Sequence, residues 1–189
     1  MRFFIVILTV LLTWLANANA DDSHDYLDAN GFRGIPYKAP TPEAVPGGVT
    51  LDFAEDVQDL LATSNTLPVN VSPITLSPAA KNGKRIWIMK AGKDQSQIPG
   101  SVWLPNVGLQ TLDPDMMHYL ENNLAVYTDN NKERGLLFYC TADCWMSWNT
   151  VIRVGRDLGY TNLYWYPSGI DGWKERELPV EMGSPIPFN

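Results

Sequence analysis

Twelve consecutive residues, Leu136-Leu137-Phe138-Tyr139-Cys140-Thr141-Ala142-Asp143-Cys144-Trp145-Met146-Ser147, constrain this chain more than any other stretch. The short apolar run, preceded by Lys132, Glu133, Arg134 and Gly135, suits a buried parallel strand over 136–139. It ends in the only two cysteines of the protein. From Ser147 the pattern becomes Trp148, Val151, Ile152, Gly155 and Leu158, a helical period, and Gly159 before Tyr160 reads as the helix stop. Ser147 reads as the N-cap of that helix. The cysteines therefore occupy a strand-to-helix loop, with Cys140 at the carboxyl end of the strand. Ligands of open α/β sheets bind there, facing backbone N–H groups and the positive end of a helix dipole. A thiolate at Cys140 is stabilised by that geometry.

Export sets the chemistry open to the two thiols. Arg2, the apolar stretch from Phe3 to Leu15 and Ala18-Asn19-Ala20 have the form of a secretory signal peptide over 1–20, an uncleaved anchor being the alternative. Cleavage leaves 189 − 20 = 169 residues and a formal charge of 13 − 21 = −8, enough chain for one domain with a proper core. No membrane span is expected after cleavage. An acidic balance without a Lys/Arg-rich run argues against nucleic acid or an anionic membrane as partner. In an oxidising, periplasmic compartment the two cysteines pair unless a reductant holds them open. A bridge closing so small a loop stabilises a fold only modestly, which favours reactive chemistry over a structural staple.

Elsewhere the chain alternates strand and helix. Residues 21–48 read as a Pro/Gly-rich arm lying extended over the domain, disordered at Asp21 to Asp25. Asp52 with Glu55 reads as the cap pair of a helix carrying Phe53, Val57, Leu60 and Leu61. A strand over Leu67 to Val71 follows; its Asn70-Val71-Ser72 sequon is discounted as buried. Residues 74–97, with a basic patch of Lys81, Lys84, Arg85, Lys90 and Lys93, read as a solvated excursion, a short edge strand or lid being possible. A short strand lies within 98–105. Asp113 with Pro114 starts a helix whose apolar face is Met117, Leu120, Leu124 and Tyr127. Leu163 to Tyr166 is a strand, a short helix follows, and 182–189 is a tail. Arg153 and Arg156 read as solvated. With His24 and His118 the only histidines, no metal site is expected. The alternation calls for an α/β fold, a central mainly parallel sheet with helices on both faces, over 49–181.

Three stretches together resemble a rhodanese domain: Ile98-Pro99-Gly100-Ser101-Val102, Tyr139-Cys140, and Gly159-Tyr160-Thr161-Asn162-Leu163 through Gly169-Ile170-Asp171-Gly172-Trp173. More narrowly, Cys140 to Asn149, Tyr164-Trp165-Tyr166-Pro167 and the arm around Tyr37 to Pro42 resemble an exported rhodanese-like family associated with pyrroloquinoline quinone (PQQ)-dependent alcohol catabolism and known by a Cys-x-x-Cys-Trp motif. Here three residues separate the cysteines. Where ordinary rhodaneses carry Gly and Arg, three and five residues after the cysteine, this chain has Asp143 and Trp145. The Asp143 carboxylate disfavours a thiolate and an anionic donor such as thiosulfate. Met146 in place of the arginine of the related phosphatase loop argues against phosphatase activity.

Three mechanisms remain open, and they share an active-site loop of Thr141, Ala142, Asp143, Trp145, Met146 and Ser147 around Cys140 and Cys144. Cys140 can carry a persulfide from a sulfane-sulfur donor to a thiol acceptor, as the resemblance implies for a sulfurtransferase. Cys140 can form a mixed disulfide with a small-molecule or protein partner that Cys144 resolves, the pair cycling between dithiol and disulfide. Alternatively the loop does no chemistry, and Trp145, Trp148 and Trp165 form an aromatic surface for a partner such as a periplasmic quinoprotein dehydrogenase system. No bound cofactor is expected; PQQ belongs to the associated pathway.

Overall fold

The apolar runs of the sequence come together as one sheet. This computed structural model describes residues 26–79 and 83–188. Its elements are β1 (Val49–Thr50), α1 (Ala54–Thr63), β2 (Leu67–Asn70), β3 (Thr75–Leu76), β4 (Trp87–Ile88), β5 (Ser96–Gln97), β6 (Val102–Trp103), α2 (Pro114–Thr128), β7 (Leu136–Tyr139), α3 (Trp145–Leu158), β8 (Leu163–Tyr166), α4 (Gly169–Glu175) and β9 (Glu181–Met182). The signal segment, the stretch from Asp21 to Asp25 with His24, and Lys81 lie outside the described residues. No helix among the described residues is long and apolar enough to cross a membrane.

Strands β1, β8, β7, β2 and β6 lie side by side in that order, and every pairing is parallel. All four residues of β7, at the centre, are buried. Its side chains alternate between faces. Leu136 and Phe138 pack with Leu120 and Leu124 of α2 and Val151 and Val154 of α3. Leu137 and Tyr139 pack with Val57 of α1 and Ile170 and Trp173 of α4. Helices thus cover both faces, as the alternation requires. Burying each such side chain contributes about 1.5–3 kcal/mol, which makes the centre of the sheet a firm floor for the loop after β7.

Some expected details shift. Helix α1 begins after Phe53 with no side-chain cap, so Asp52 does not cap it; Phe53 itself is exposed. At α2 the Asp113 side chain accepts from the Met116 amide at 2.7 Å, with Pro114 at the first helical position. That amide, and after it the Arg85 guanidinium, hold the Asp113 carboxyl below its ordinary range against a smaller opposing effect of burial. The buried face of α2 carries Met116 and Tyr119 in addition to Leu120 and Leu124, whereas Met117 is only half-buried. The cause is the tail. Phe188 packs on Tyr119 and Trp87, Tyr119 Oη and Trp87 Nε1 both donate to the Ile186 carbonyl, and the Ile186 amide donates to Trp103. The excursion at 74–97 folds on itself through the antiparallel pair β3–β4 and is held to the domain by the pair β5–β9 and by Trp87.

Candidate active site

Strand β7 delivers Cys140 to the top of the sheet, and α3 begins immediately beyond Cys144, its N-cap. Helix α3 starts three residues earlier than its apolar period suggests, because the Trp145 amide is satisfied from outside by the Tyr37 carbonyl at 2.9 Å. Ser147 is therefore inside the first turn and is not the N-cap. The stop is as expected: Gly159 takes a left-handed φ of 72°.

Cys140 and Cys144 are joined in a disulfide. Cys140 is fully buried, and Cys144 retains 6% of its surface. Neither sulfur carries a proton, so the short approaches of Cys140 Sγ to the Cys144 carbonyl at 3.5 Å and to Ser147 Oγ at 3.7 Å are contacts. Between the cysteines, Asp143 is exposed and holds a φ of 51°, the left-handed region that glycine enters freely and Asp tolerates. The Ala142 amide donates to Asp171 Oδ2 of α4 at 3.0 Å, and the Ile170 amide donates to the Cys140 carbonyl at 2.8 Å. Two of the amides that could have cradled a sulfur anion are thus committed elsewhere, Ala142 to a carboxylate and Trp145 to the arm.

The arm forms a strap over this loop. Lys38 bridges Cys144 in antiparallel fashion, the Ala39 amide donates to the Asp143 carbonyl at 3.0 Å, and Lys38 Nζ donates to the Ala142 carbonyl. Trp145 Nε1 donates to the carbonyls of Ala39 and Pro40 at 3.1 and 3.0 Å. One stripe of α3, at positions 145, 149, 153 and 156, meets the rest of the strap. Asn149, fully buried, accepts from the Arg33 amide and donates to the carbonyls of Arg33 and Gly108, each at 2.9 Å. Arg153 lies under Phe32, and Arg156 reaches the Asn30 carbonyl.

Two expectations are corrected here. Trp145, Trp148 and Trp165 do not form an aromatic surface: Trp145 and Trp165 are fully buried and Trp148 is 4% exposed. Trp145 packs edge-on against Trp148, and Trp165 Nε1 donates to Ser147 Oγ at 3.0 Å. Trp145 and Trp148 lie on faces of α3 turned to the strap and the core, and Trp165 belongs to the buried strand β8. Arg153 is not solvated either. It is 3% exposed, and its guanidinium donates to the carbonyls of Val107, Leu109 and Gln110 at 2.8–2.9 Å. Burial pulls its pKa down to about 10, still high enough to keep the charge at neutrality. Arg33, also buried, stacks on the rings of Tyr26 and Trp145 and was not singled out from the sequence. The signal for both is the i, i+4, i+8 spacing of Trp145, Asn149 and Arg153, which marks a second, polar-lined contact face. Of the remaining loop residues, Met146 is buried with its carbonyl against Gly108, and Thr141 is half-buried. Arg85 of the basic patch pairs with Asp113, and a cavity of about 710 Å³ beside it, lined by Lys84, Arg85 and His118 among others, shares no residue with the loop.

No protein-family model matches the chain, and no curated protein sequence matches it. Solved structures do show similarity. The thiosulfate sulfurtransferase from Pseudomonas aeruginosa is 17% identical with a TM-score of 0.46, over 73% of this chain and 21% of that one. Wild-type EanB is 20% identical with a TM-score of 0.46, over 78% and 34%. SseA from Escherichia coli, a 3-mercaptopyruvate sulfotransferase described as having the rhodanese fold, is 15% identical with a TM-score of 0.43, over 75% and 54%. The chain thus spans about a fifth of the length of the first and about half of the last. At such identities the likeness concerns the fold and does not extend to substrate.

Proposed function

We propose that this protein is a thiol–disulfide exchange protein built on a rhodanese-like α/β scaffold, with Cys140 and Cys144 as the exchanging pair. The observation that carries the reading is the Cys140–Cys144 bond itself, in a loop whose Ala142 and Trp145 amides are committed to Asp171 and Tyr37. A persulfide carrier needs those amides free; an exchanging pair does not. A partner thiolate attacks Cys144, the cysteine with surface remaining, and forms a mixed disulfide; the Cys140–Cys144 bond breaks and its electron pair leaves on Cys140. The partner's second thiol, losing its proton, displaces Cys144. The partner is oxidised by two electrons, the pair is reduced by two, and the two protons released by the partner protonate the two thiolates. In the reverse direction Cys140 is the nucleophile that closes the ring.

The test is intact mass with thiol alkylation, before and after mild reductant and after exposure to thiosulfate or a polysulfide. The expected result is two alkyl groups taken up only after reduction, with reversible reoxidation and no added sulfur. A stable gain of one sulfur on Cys140 overturns it in favour of sulfur transfer. That second reading is favoured by the place of Cys140, at a strand's carboxyl end facing the start of α3, where a sulfur anion is stabilised. The signal-like sequence at 1–20 supports export to the periplasm, and the resemblance of the Cys140 to Asn149 stretch and of the arm supports a partner in PQQ-dependent alcohol oxidation.

A further inference from the structure

We infer that Ser147 is the hydrogen-bond donor that receives the Cys140 thiolate when the disulfide opens, and that Trp165 is the positioning residue that aims it. The inference rests on the exchange reading above and names the groups that make Cys140 a good leaving thiolate. Ser147 Oγ lies 3.7 Å from Cys140 Sγ. A hydroxyl has one proton to give, and its direction is settled here by its neighbours. Trp165 Nε1, which can only donate, points at Ser147 Oγ from 3.0 Å, so the serine proton must turn away from it. It goes to the Cys144 carbonyl at 3.1 Å. That is the better acceptor while the sulfurs are bonded and neutral.

Opening the S–S bond reverses the preference. An anionic sulfur then competes with a neutral carbonyl for the same proton, and a charge-assisted hydrogen bond is about twice as strong as a neutral one. A movement of a few tenths of an ångström brings the pair into bonding range. Ser147 is 1% exposed and Trp165 fully buried, so water does not substitute for either. Two of the loop amides do not substitute either, since Ala142 donates to Asp171 and Trp145 to Tyr37. The charged groups around the loop are Lys38 on the Ala142 carbonyl, Asp171 on the Ala142 amide, Asp143 within the loop, and Arg33 over the Trp145 ring. All are kept in the variants below. A lower thiol pKa makes Cys140 leave faster and stabilises the dithiol form.

The test uses the full chain with Cys144→Ala, so that Cys140 is the sole thiol, and follows its alkylation rate against pH. Ser147→Ala is expected to raise the pH midpoint by about one unit, a roughly tenfold smaller thiolate fraction at neutral pH. Trp165→Phe, which releases the serine proton from its constraint, shifts it the same way by less, and Ser147→Thr restores the wild-type midpoint. With both cysteines present, Ser147→Ala lowers the midpoint potential against glutathione, a tenfold effect corresponding to about 30 mV. A pH midpoint unchanged in both Ser147→Ala and Trp165→Phe overturns the inference. If the wild-type pair forms no reversible couple with glutathione while the pH midpoint still moves with Ser147, the donor role stands and the exchange reading falls.

Discussion

Gly169 meets Cys140 where a β-carbon has no room. Its φ is +54°, and a Cβ built there would lie 2.2 Å from the Cys140 carbonyl oxygen, the acceptor of the Ile170 amide. Gly169→Ala has to relieve a backbone clash in a left-handed conformation, and we expect it to destabilise the fold by roughly 2–4 kcal/mol, read as a lower denaturant midpoint. The same contact fixes where the loop begins, so the variant is also expected to expose the disulfide to reductant. Glycine at this position was legible as part of the stretch from Gly169 to Trp173, but its reason was not. The reason is a carbonyl 29 residues away, and no local pattern encodes that. Ser147 shows the same limit. A serine before an apolar helical run reads locally as a cap, and only the Tyr37 carbonyl, arriving from the arm, moves the helix start to Trp145 and leaves the hydroxyl on the Cys144 carbonyl, 3.7 Å from the Cys140 sulfur.

Helix α3 is the element on which both faces of the problem meet. Its core stripe, Val151 and Val154 with Trp148, was readable because apolar residues at helical spacing need only a sheet to pack on. Its strap stripe was not readable, because Asn149 and Arg153 look like solvated polar residues until the carbonyls of Arg33, Val107, Leu109 and Gln110 are brought to them. Strands of four residues, such as β7 and β8, carry enough period to be recognised; β3, β4, β5 and β9, with two residues each, are fixed by distant pairing alone. Asn149→Ala removes three hydrogen bonds that hold Arg33 and Gly108 and leaves buried backbone groups without partners, at a cost of about 2–4 kcal/mol. Because the strap ends on the Cys144 loop, the variant is expected to show faster hydrogen exchange at the Arg33 and Ala39 amides and several-fold faster reduction of the disulfide. Unchanged reduction with a freely exchanging arm would separate the strap from access to the cysteines.

At the scale of the molecule, the described arm and tail both pack into the core cluster that lines the sheet, and each is anchored by aromatic rings with hydroxyls or indoles pointed at its carbonyls. The layered α/β architecture was legible from the alternation of runs, and so was an arm lying over the domain; the contacts that dock the arm and the tail were not, since a Pro-rich arm and a short tail reveal nothing of their docking sites. Burying so many tyrosines has a thermodynamic consequence at high pH. Burial raises the phenol pKa of Tyr139 and Tyr119 well above the ordinary 10.0, the hydrogen bonds they make opposing it, and raises that of Tyr166 to about 12. An unfolded chain ionises these phenols near pH 10. Each group's folded pKa is raised, so its stabilising contribution is complete below pH 10 and is lost as the pH rises through the folded value. Above pH 10 the unfolded state binds fewer protons than the folded one, and stability falls with pH. Denaturant midpoints should therefore hold steady on approach to pH 10 and then drop, with a slope approaching three protons near pH 11 and easing toward pH 12 as Tyr166 ionises in the folded protein too. Tyr139 accepts from the Ile98 amide and shares a proton with Ser101 beneath the cysteine loop. Tyr139→Phe is expected to flatten that slope by about one proton, at the expense of about 1–2 kcal/mol at neutral pH for the unpaired Ile98 amide. An unchanged slope would mean that Tyr139 ionises in the folded protein as freely as in the unfolded chain.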